Sequence, residues 1–283
     1  MTAAVALQGH PAPSPVEVGR AAVRALHAEL TLYPKPGLVS PVDGGAHDDM
    51  DAATFQRSLF ALRHAFFELA SAGAAGASFD VLRRTGLAAE RRMLAATGGV
   101  NTHRGAIFSM GLLAAAAGFH QRRGLRVSAE GLAGTVVRRW GEEIAAAAPA
   151  ARGSHGEEAV RRHGVRGARD EALAGFPILV GTALPVLRRT LAALGCRERA
   201  LVQTLFAVMA ELQDTNVVHR GGMEGLAWLQ GEARRFLATG GTHAPGWRER
   251  AVVIHRECVA RWISPGGAAD VLAAALFVHE LAT

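Results

Sequence analysis

Asp51-Ala52-Ala53-Thr54-Phe55-Gln56-Arg57-Ser58-Leu59-Phe60-Ala61-Leu62-Arg63-His64-Ala65-Phe66-Phe67-Glu68-Leu69-Ala70-Ser71-Ala72 decides the fold class. Phe55, Leu59, Leu62, Phe66 and Leu69 recur at intervals of three and four, which places them on one face of an α-helix. Asp51 stands just ahead, where a carboxylate accepts hydrogen bonds from the first free N–H groups of a helix. One long helix is expected from here to about Ala72. The same reading extends outward. Helices are expected from Ser14 or Pro15 to Leu32, from a cap at Ser78 to Ala96, from Asn101 to Arg123, and from a cap at Ser128 to Ala148. Further helices are expected over 177–194, 198–213, 221–238, 247–262 and 267–281, with Pro185 interrupting the first of these because it lacks an N–H.

Composition agrees. Of 283 residues, 49% are hydrophobic but only 6% aromatic, so alanine and leucine carry the apolar content, and these favour helix over sheet. No alternating strand pattern and no solenoid repeat is present. The expectation is an all-α protein: a disordered leader over 1–13, then a single compact domain over 14–283 of roughly ten helices.

Charge and cysteine content narrow the function. The formal net charge of +6 suits an anionic partner. The basic residues are scattered, without a basic tail or aromatic interleaving, which argues against nucleic acid. Two cysteines, Cys196 and Cys258, exclude a disulfide scaffold. With no secretory pattern and no membrane-length apolar run, a cytoplasmic protein off the membrane is expected. Lys35 is the only lysine among 31 Lys and Arg residues, and it sits between Pro34 and Pro36. A compact, hydrated ammonium is not interchangeable with a guanidinium, which marks Lys35 as a candidate site residue.

Five polar clusters interrupt the apolar background. Asp48, Asp49 and Asp51, with His47, end a Pro- and Gly-rich loop that starts at Pro34; carboxylates there suit Mg²⁺, and the plain alternative is helix capping. Gly98-Gly99-Val100-Asn101-Thr102-His103-Arg104-Gly105 places glycines before a helix start, an anion-binding arrangement. Asp214-Thr215-Asn216-Val217-Val218-His219-Arg220-Gly221 echoes it, with a helix C-terminus stopped by Gly221 as the alternative. Ser154-His155-Gly156-Glu157 offers a hydroxyl, an imidazole and a carboxylate, and Ser264-Pro265-Gly266-Gly267 offers a second backbone nest. The isolated His27, His64, His120, His255 and His279 are read as surface or satisfied core residues.

In their order these clusters, together with Pro34-Lys35-Pro36-Gly37, Gly45-Ala46-His47, Gly175-Phe176-Pro177 and Asp270, resemble the triphosphoribosyl-dephospho-CoA synthase family from about residue 20 to the end. Ala268 departs from the serine expected in the last motif. The resemblance implies transfer of the triphosphoribosyl group of ATP to 3′-dephospho-CoA with release of adenine. The product would be the prosthetic-group precursor of an acyl-carrier protein, attached by a downstream transferase. The surroundings of Tyr33 and Ser40-Pro41-Val42-Asp43 look closer to the malonate decarboxylase branch than to the citrate lyase branch. On this reading Lys35, His47, His103, Glu157 and His219 are the catalytic candidates. Lys35, Asn101, Thr102, Arg104, Ser154, His155, Asn216, Arg220, Gly266 and Gly267 bind substrate, and Asp49, Asp51 and Asp214 hold Mg²⁺. The alternatives are a Mg²⁺-dependent N-glycosidase or ADP-ribose hydrolase and a non-enzymatic basic helical binding module. A homodimer is left open.

Overall fold

A computed structural model describes residues 10–147 and 155–283. It is all-α, as the apolar periodicity requires. The described residues form α1 (Pro15–Thr31), α2 (Ala52–Leu62), α3 (Ala65–Ala74), α4 (Phe79–Ala96), α5 (Arg104–Arg123), α6 (Ala129–Ala146), α7 (His155–His163), α8 (Ala168–Leu173), α9 (Leu184–Leu194), α10 (Arg197–Glu211), α11 (Thr215–Ala238), α12 (Trp247–Ala260) and α13 (Gly266–Leu281). A π-helical segment, Ile178–Ala183, leads into α9. The strand content is one antiparallel pair, β1 (His10–Pro11) with β2 (Arg126–Val127). Thus residues at the end of the expected leader pair with the chain, while residues 1–9 lie outside the described residues.

Three helices are buried on nearly every side. α5 is enclosed from Met110 to Gly118 and α13 from Leu272 to Val278, each with a run of three or four alanines. α10 is enclosed from Ala200 to Ala210, apart from half-buried Gln203. A helix apolar all round belongs in a core. α13 lies between two groups: it packs on α1 and α5 on one side and on α9, α10 and α11 on the other. The starts of α5, α11 and α13 therefore come close together.

The helix from 51 to 72 is two helices. The Arg63 guanidinium donates to the Phe60 carbonyl at 2.8 Å, and the ladder breaks at Arg63 and His64. A side chain that takes a ladder carbonyl is a known cause of a kink. The break lets α2 pack on α4 while α3 packs on α5. The polar, glycine-rich stretch between the expected helices ending at 148 and starting at 177 contains α7 and α8 in its described part. α11 starts at Thr215 rather than at 221, because Asp214 caps it. The backbone breaks at Gly222 (φ 64°, ψ −167°), one residue beyond the glycine expected to stop the helix. Pro185 does mark a change: the Leu184 N–H bonds the Leu179 carbonyl, a wider turn, just before the proline opens α9.

Candidate active site

A cleft of about 1500 Å³ opens where these helix starts converge. Its floor is set by the Lys35 loop. Lys35 is 1% exposed, and its ammonium donates to Glu29 Oε1 at 2.6 Å and to the Glu29 carbonyl at 2.8 Å. Burial pushes the Lys35 pKa down, and Glu29 opposes the shift. A buried ion pair survives when its remaining donors are also satisfied. His255 fixes the loop from beneath. Its Nδ1 lies 2.9 Å from the Lys35 carbonyl and 3.2 Å from the Gly37 N–H, and its Nε2 is 3.1 Å from Asp43. Gly37 is required at this bend: φ is 67°, and a Cβ would collide with the Ile263 carbonyl.

His47, Arg220 and Ser264 form one wall. Arg220 Nη2 donates to His47 Nδ1 at 3.0 Å, which assigns the proton to Nε2, 2.8 Å from Ser264 Oγ. Arg220 also donates to the Ala46 carbonyl at 2.6 Å. Burial, then the Arg220 charge, pushes the His47 pKa down, against a pull from Asp49, whose carboxylate is 3.5 Å from Nδ1.

The start of α5 forms a second wall. Asn101 Oδ1 accepts from the Arg104 N–H at 3.1 Å, and α5 begins only at Arg104, with His103 at the cap position. Arg104 is paired with Glu90 at 2.6 Å. Thr102 donates to Ser58 Oγ at 2.8 Å, and that oxygen is 2.6 Å from His103 Nδ1. His103 is buried against the edge of Phe55, and its Nε2 has no partner. Burial, with Lys35 nearby, holds its pKa down at about 3, so the imidazole is neutral.

The third wall joins α11 to α13 through Asp214. Its Oδ1 accepts from the Asn216 N–H at 2.9 Å, and its Oδ2 accepts from the Ala268 N–H at 2.9 Å. One carboxylate thus caps two helices. Gly267 has no side chain because a Cβ would press on this carboxylate at 3.1 Å, and a Cβ on Gly266 would meet Asn216 Nδ2 at 2.7 Å. Ala268, the departure from the family motif, is buried and supplies only its N–H here, so a hydroxyl is not needed for the cap.

The candidates from sequence divide accordingly. Lys35, His47, Asp49, Asn101, Thr102, His103, Arg104, Asn216, His219, Arg220, Gly266 and Gly267 all line the cleft. Ser154 and the side chains of His155 and Glu157 lie outside the described residues. The three carboxylates expected to hold Mg²⁺ do not come together as one set. Asp51 is not among the lining residues, and its Oδ1 accepts from the Thr54 N–H and hydroxyl, each at 2.8 Å, as a cap. Asp214 is occupied by backbone N–H groups, and no group of three metal-binding side chains occurs among the described residues. Asp49 fits a more modest part, since Mg²⁺ is held by one or two carboxylates when phosphates supply the other oxygens.

Glu29 and Ser58 were not selected from the sequence, His255 was read as a surface or satisfied core residue, and Asp270 entered only through the family motif. Glu29 carried a readable signal, being a carboxylate on the α1 stripe of Val18, Ala22, Leu26 and Leu30, all buried. Ser58 and His255 carried none, because their partners are 45 and about 220 positions away.

Among the described residues no helix is long and apolar enough to cross a membrane. Residues 15–283 match the family model described as ATP:dephospho-CoA triphosphoribosyl transferase. A 2-(5″-triphosphoribosyl)-3′-dephosphocoenzyme-A synthase of Klebsiella pneumoniae is 43% identical over 93% of this chain and 90% of its own length. One of Pectobacterium atrosepticum is 41% identical over 95% and 90%. A probable synthase of Acinetobacter calcoaceticus is 38% identical over 91% and 88%. No solved structure matches. With nearly the whole chain matched by both the family model and these relatives, the protein belongs to the ATP:dephospho-CoA triphosphoribosyl transferase family.

Proposed function

We propose that the protein joins ATP to 3′-dephospho-CoA with release of adenine, and that the product is the prosthetic-group precursor for the acyl-carrier subunit of malonate decarboxylase. The observation that carries the reaction is the convergence of Lys35, Arg220, Arg104 and the starts of α5, α11 and α13 on one cleft. The bond that breaks joins the ribose of ATP to adenine, and the triphosphate passes to the product intact. A site for this reaction must hold phosphates firmly without attacking them. Helix N-termini and cations do that by charge and geometry.

In this reading Arg220 and Arg104 face the phosphates, and Asn101, Thr102 and Asn216 hold polar groups of the two substrates. Lys35 is committed to Glu29, so it sets the field at the floor and orders the loop that carries His47. Mg²⁺ bound with ATP would neutralise phosphate charge, and Asp49, which lines the cleft, would help to hold it. As the C–N bond lengthens, the ribosyl carbon gains positive charge, as in other glycosyl transfers. His219, and His47 once Arg220 releases its Nδ1, are the candidate bases for the acceptor 2′-hydroxyl. His103, neutral at working pH, is suited to hydrogen bonding through Nε2 rather than to accepting the proton.

The test is adenine release by the purified protein, followed by chromatography, with ATP and Mg²⁺ in the presence and absence of 3′-dephospho-CoA. Release that depends on the acceptor is expected. Equal release without it would establish hydrolysis instead. The pathway is tested by asking which acyl-carrier subunit, that of malonate decarboxylase or of citrate lyase, the product restores once a downstream transferase attaches it. Restoration of the citrate lyase subunit alone would overturn the pathway assignment.

A further inference from the structure

Asp270 stands in the first turns of α13, and its side chain lies on the start of α5. The Ala106 N–H donates to it, and Gly105 is glycine where a Cβ would collide with Asp270 Oδ2. Its helix neighbours Ala268 and Leu272 are fully buried, yet Asp270 keeps part of its surface, and it lines the cleft. The charges that act on it are those of Asp214 ahead of α11 and Glu29 of α1, and the Ala106 N–H at the start of α5 opposes them. Three carboxylates therefore act on one another with one ammonium nearby, and that ammonium is bonded to Glu29. Like charges this close cannot all be ionised at ordinary cost.

Four other groups lining the cleft are already committed to partners or neutral. His47 has Nδ1 occupied by Arg220, and its neutral Nε2–H lies against Ser264. His103 is neutral, and Asp214 accepts backbone N–H bonds on both oxygens. Glu171, on α8, is held by the Ile178 N–H at 3.3 Å.

We propose that Asp270, positioned on the first turn of α5 and open to the cleft, is the acid that protonates the departing adenine. This rests on the transfer reaction proposed above. The bond between the ribosyl carbon and adenine breaks, its electron pair goes to the base, and the Asp270 carboxyl proton goes to a ring nitrogen. The acceptor 2′-hydroxyl forms the new C–O bond and loses one proton, which restores Asp270 directly or through a neighbouring base. Burial, then the Asp214 and Glu29 charges, holds the Asp270 pKa well above the ordinary carboxyl range, so the acid form is available near neutral pH.

The experiment compares wild type, Asp270→Asn and Asp270→Glu with two donors: ATP, and a nucleoside triphosphate whose purine is N7-methylated and cationic. The methylated base leaves without a proton. With ATP, Asp270→Asn is expected to lose about 100-fold in kcat with little change in KM, while Asp270→Glu recovers part of the rate. With the methylated donor the Asn variant is expected to lose far less. Wild-type kcat/KM should also fall as pH rises through the raised carboxyl pKa, and this limb should vanish in Asp270→Asn. Equal losses with both donors, wild-type rates in the Asn variant, or the same alkaline limb in both proteins would each overturn the assignment. If wild type turns over ATP only, the pH comparison decides. Wild type without acceptor-dependent release would instead sink the transfer reading.

Discussion

Lys35 and Glu29 form the most buried ion pair of the molecule among the described residues, with side chains 1% and 6% exposed. Removing one partner of such a pair strands a charge, which costs about 3–5 kcal/mol, whereas replacing both with apolar groups is often neutral. Glu29→Ala is therefore expected to lower unfolding free energy in urea by that amount, and Glu29→Met with Lys35→Met to recover most of it. No recovery in the double variant would show that the pair does more than cancel its own burial. Lys35→Arg keeps the charge but not the compact shape, and adenine release by that variant is expected to fall at least 10-fold; wild-type rates would mean that the lone lysine is not specifically required. His103 gives a pH prediction. Its folded pKa is about 3 against an ordinary 6.5, so below pH 6.5 the unfolded chain binds one more proton than the native one. Stability contributed by the neutral ring is full above pH 6.5 and falls by about 1.4 kcal/mol per unit as pH drops toward 3. His103→Gln removes this slope, and the difference between the two urea-melt series across that range measures it. The sequence marked Lys35 by its rarity and His103 by its motif. It did not show that Glu29 and Ser58 would be their partners, since those pairings exist only once α1 and α2 are packed.

Helix α5 is held against α3 by missing side chains. A Cβ on Gly118 would land on the Ala70 carbonyl, and a Cβ on Gly73 would land on the Ala115 carbonyl, so backbone meets backbone at the crossing. Neither carbonyl can rotate away as a flexible side chain would. Gly118→Ala is expected to destabilise the protein by about 1–3 kcal/mol, in spite of the gain of about 1 kcal/mol in helix propensity. Gly231 in α11 provides the control, because nothing lies within 4 Å of its added Cβ. Gly231→Ala is expected to stabilise by about 0.5–1 kcal/mol. Thermal melts of the two variants should move in opposite directions, and a shared direction would remove the close crossing as the explanation. Element identity was legible here because alanine, leucine and a period of 3.6 are local properties. Two kinds of boundary were not. The break at Arg63 depends on a guanidinium reaching back to Phe60, and α2 and α3 then follow different partners. The start of α11 depends on Asp214, which read as a metal ligand and acts as the cap of two helices that are far apart in sequence.

At the scale of the molecule, α13 joins the two helical groups, and the cleft lies where its start meets those of α5 and α11. Its volume of about 1500 Å³ exceeds the roughly 300–1,000 Å³ usual for one drug-sized ligand. That volume is consistent with the two nucleotide-bearing substrates that the proposed transfer requires. The walls also argue against a stored intermediate. A covalent ribosyl-enzyme needs a free carboxylate nucleophile near the sugar. Of the carboxylates that line the cleft, Glu29 is bonded to Lys35, Glu90 to Arg104, Asp170 to the Gly167 N–H and Glu171 to the Ile178 N–H, Asp214 caps two helices, Asp49 lies 3.5 Å from His47 Nδ1, and Asp270 lies against the start of α5. Direct transfer in a ternary complex is the kinetic consequence. Initial rates of adenine release, measured over a grid of ATP and 3′-dephospho-CoA concentrations, are expected to give double-reciprocal lines that intersect. Each substrate alone should also raise the melting temperature, because any ligand that binds only the native state adds RT ln(1 + [L]/Kd), about 2.7 kcal/mol at 100 times Kd. Parallel lines, accompanied by a burst of adenine from ATP before acceptor is added, would place a covalent ribosyl-enzyme on the path and require one of these carboxylates to leave its present partners.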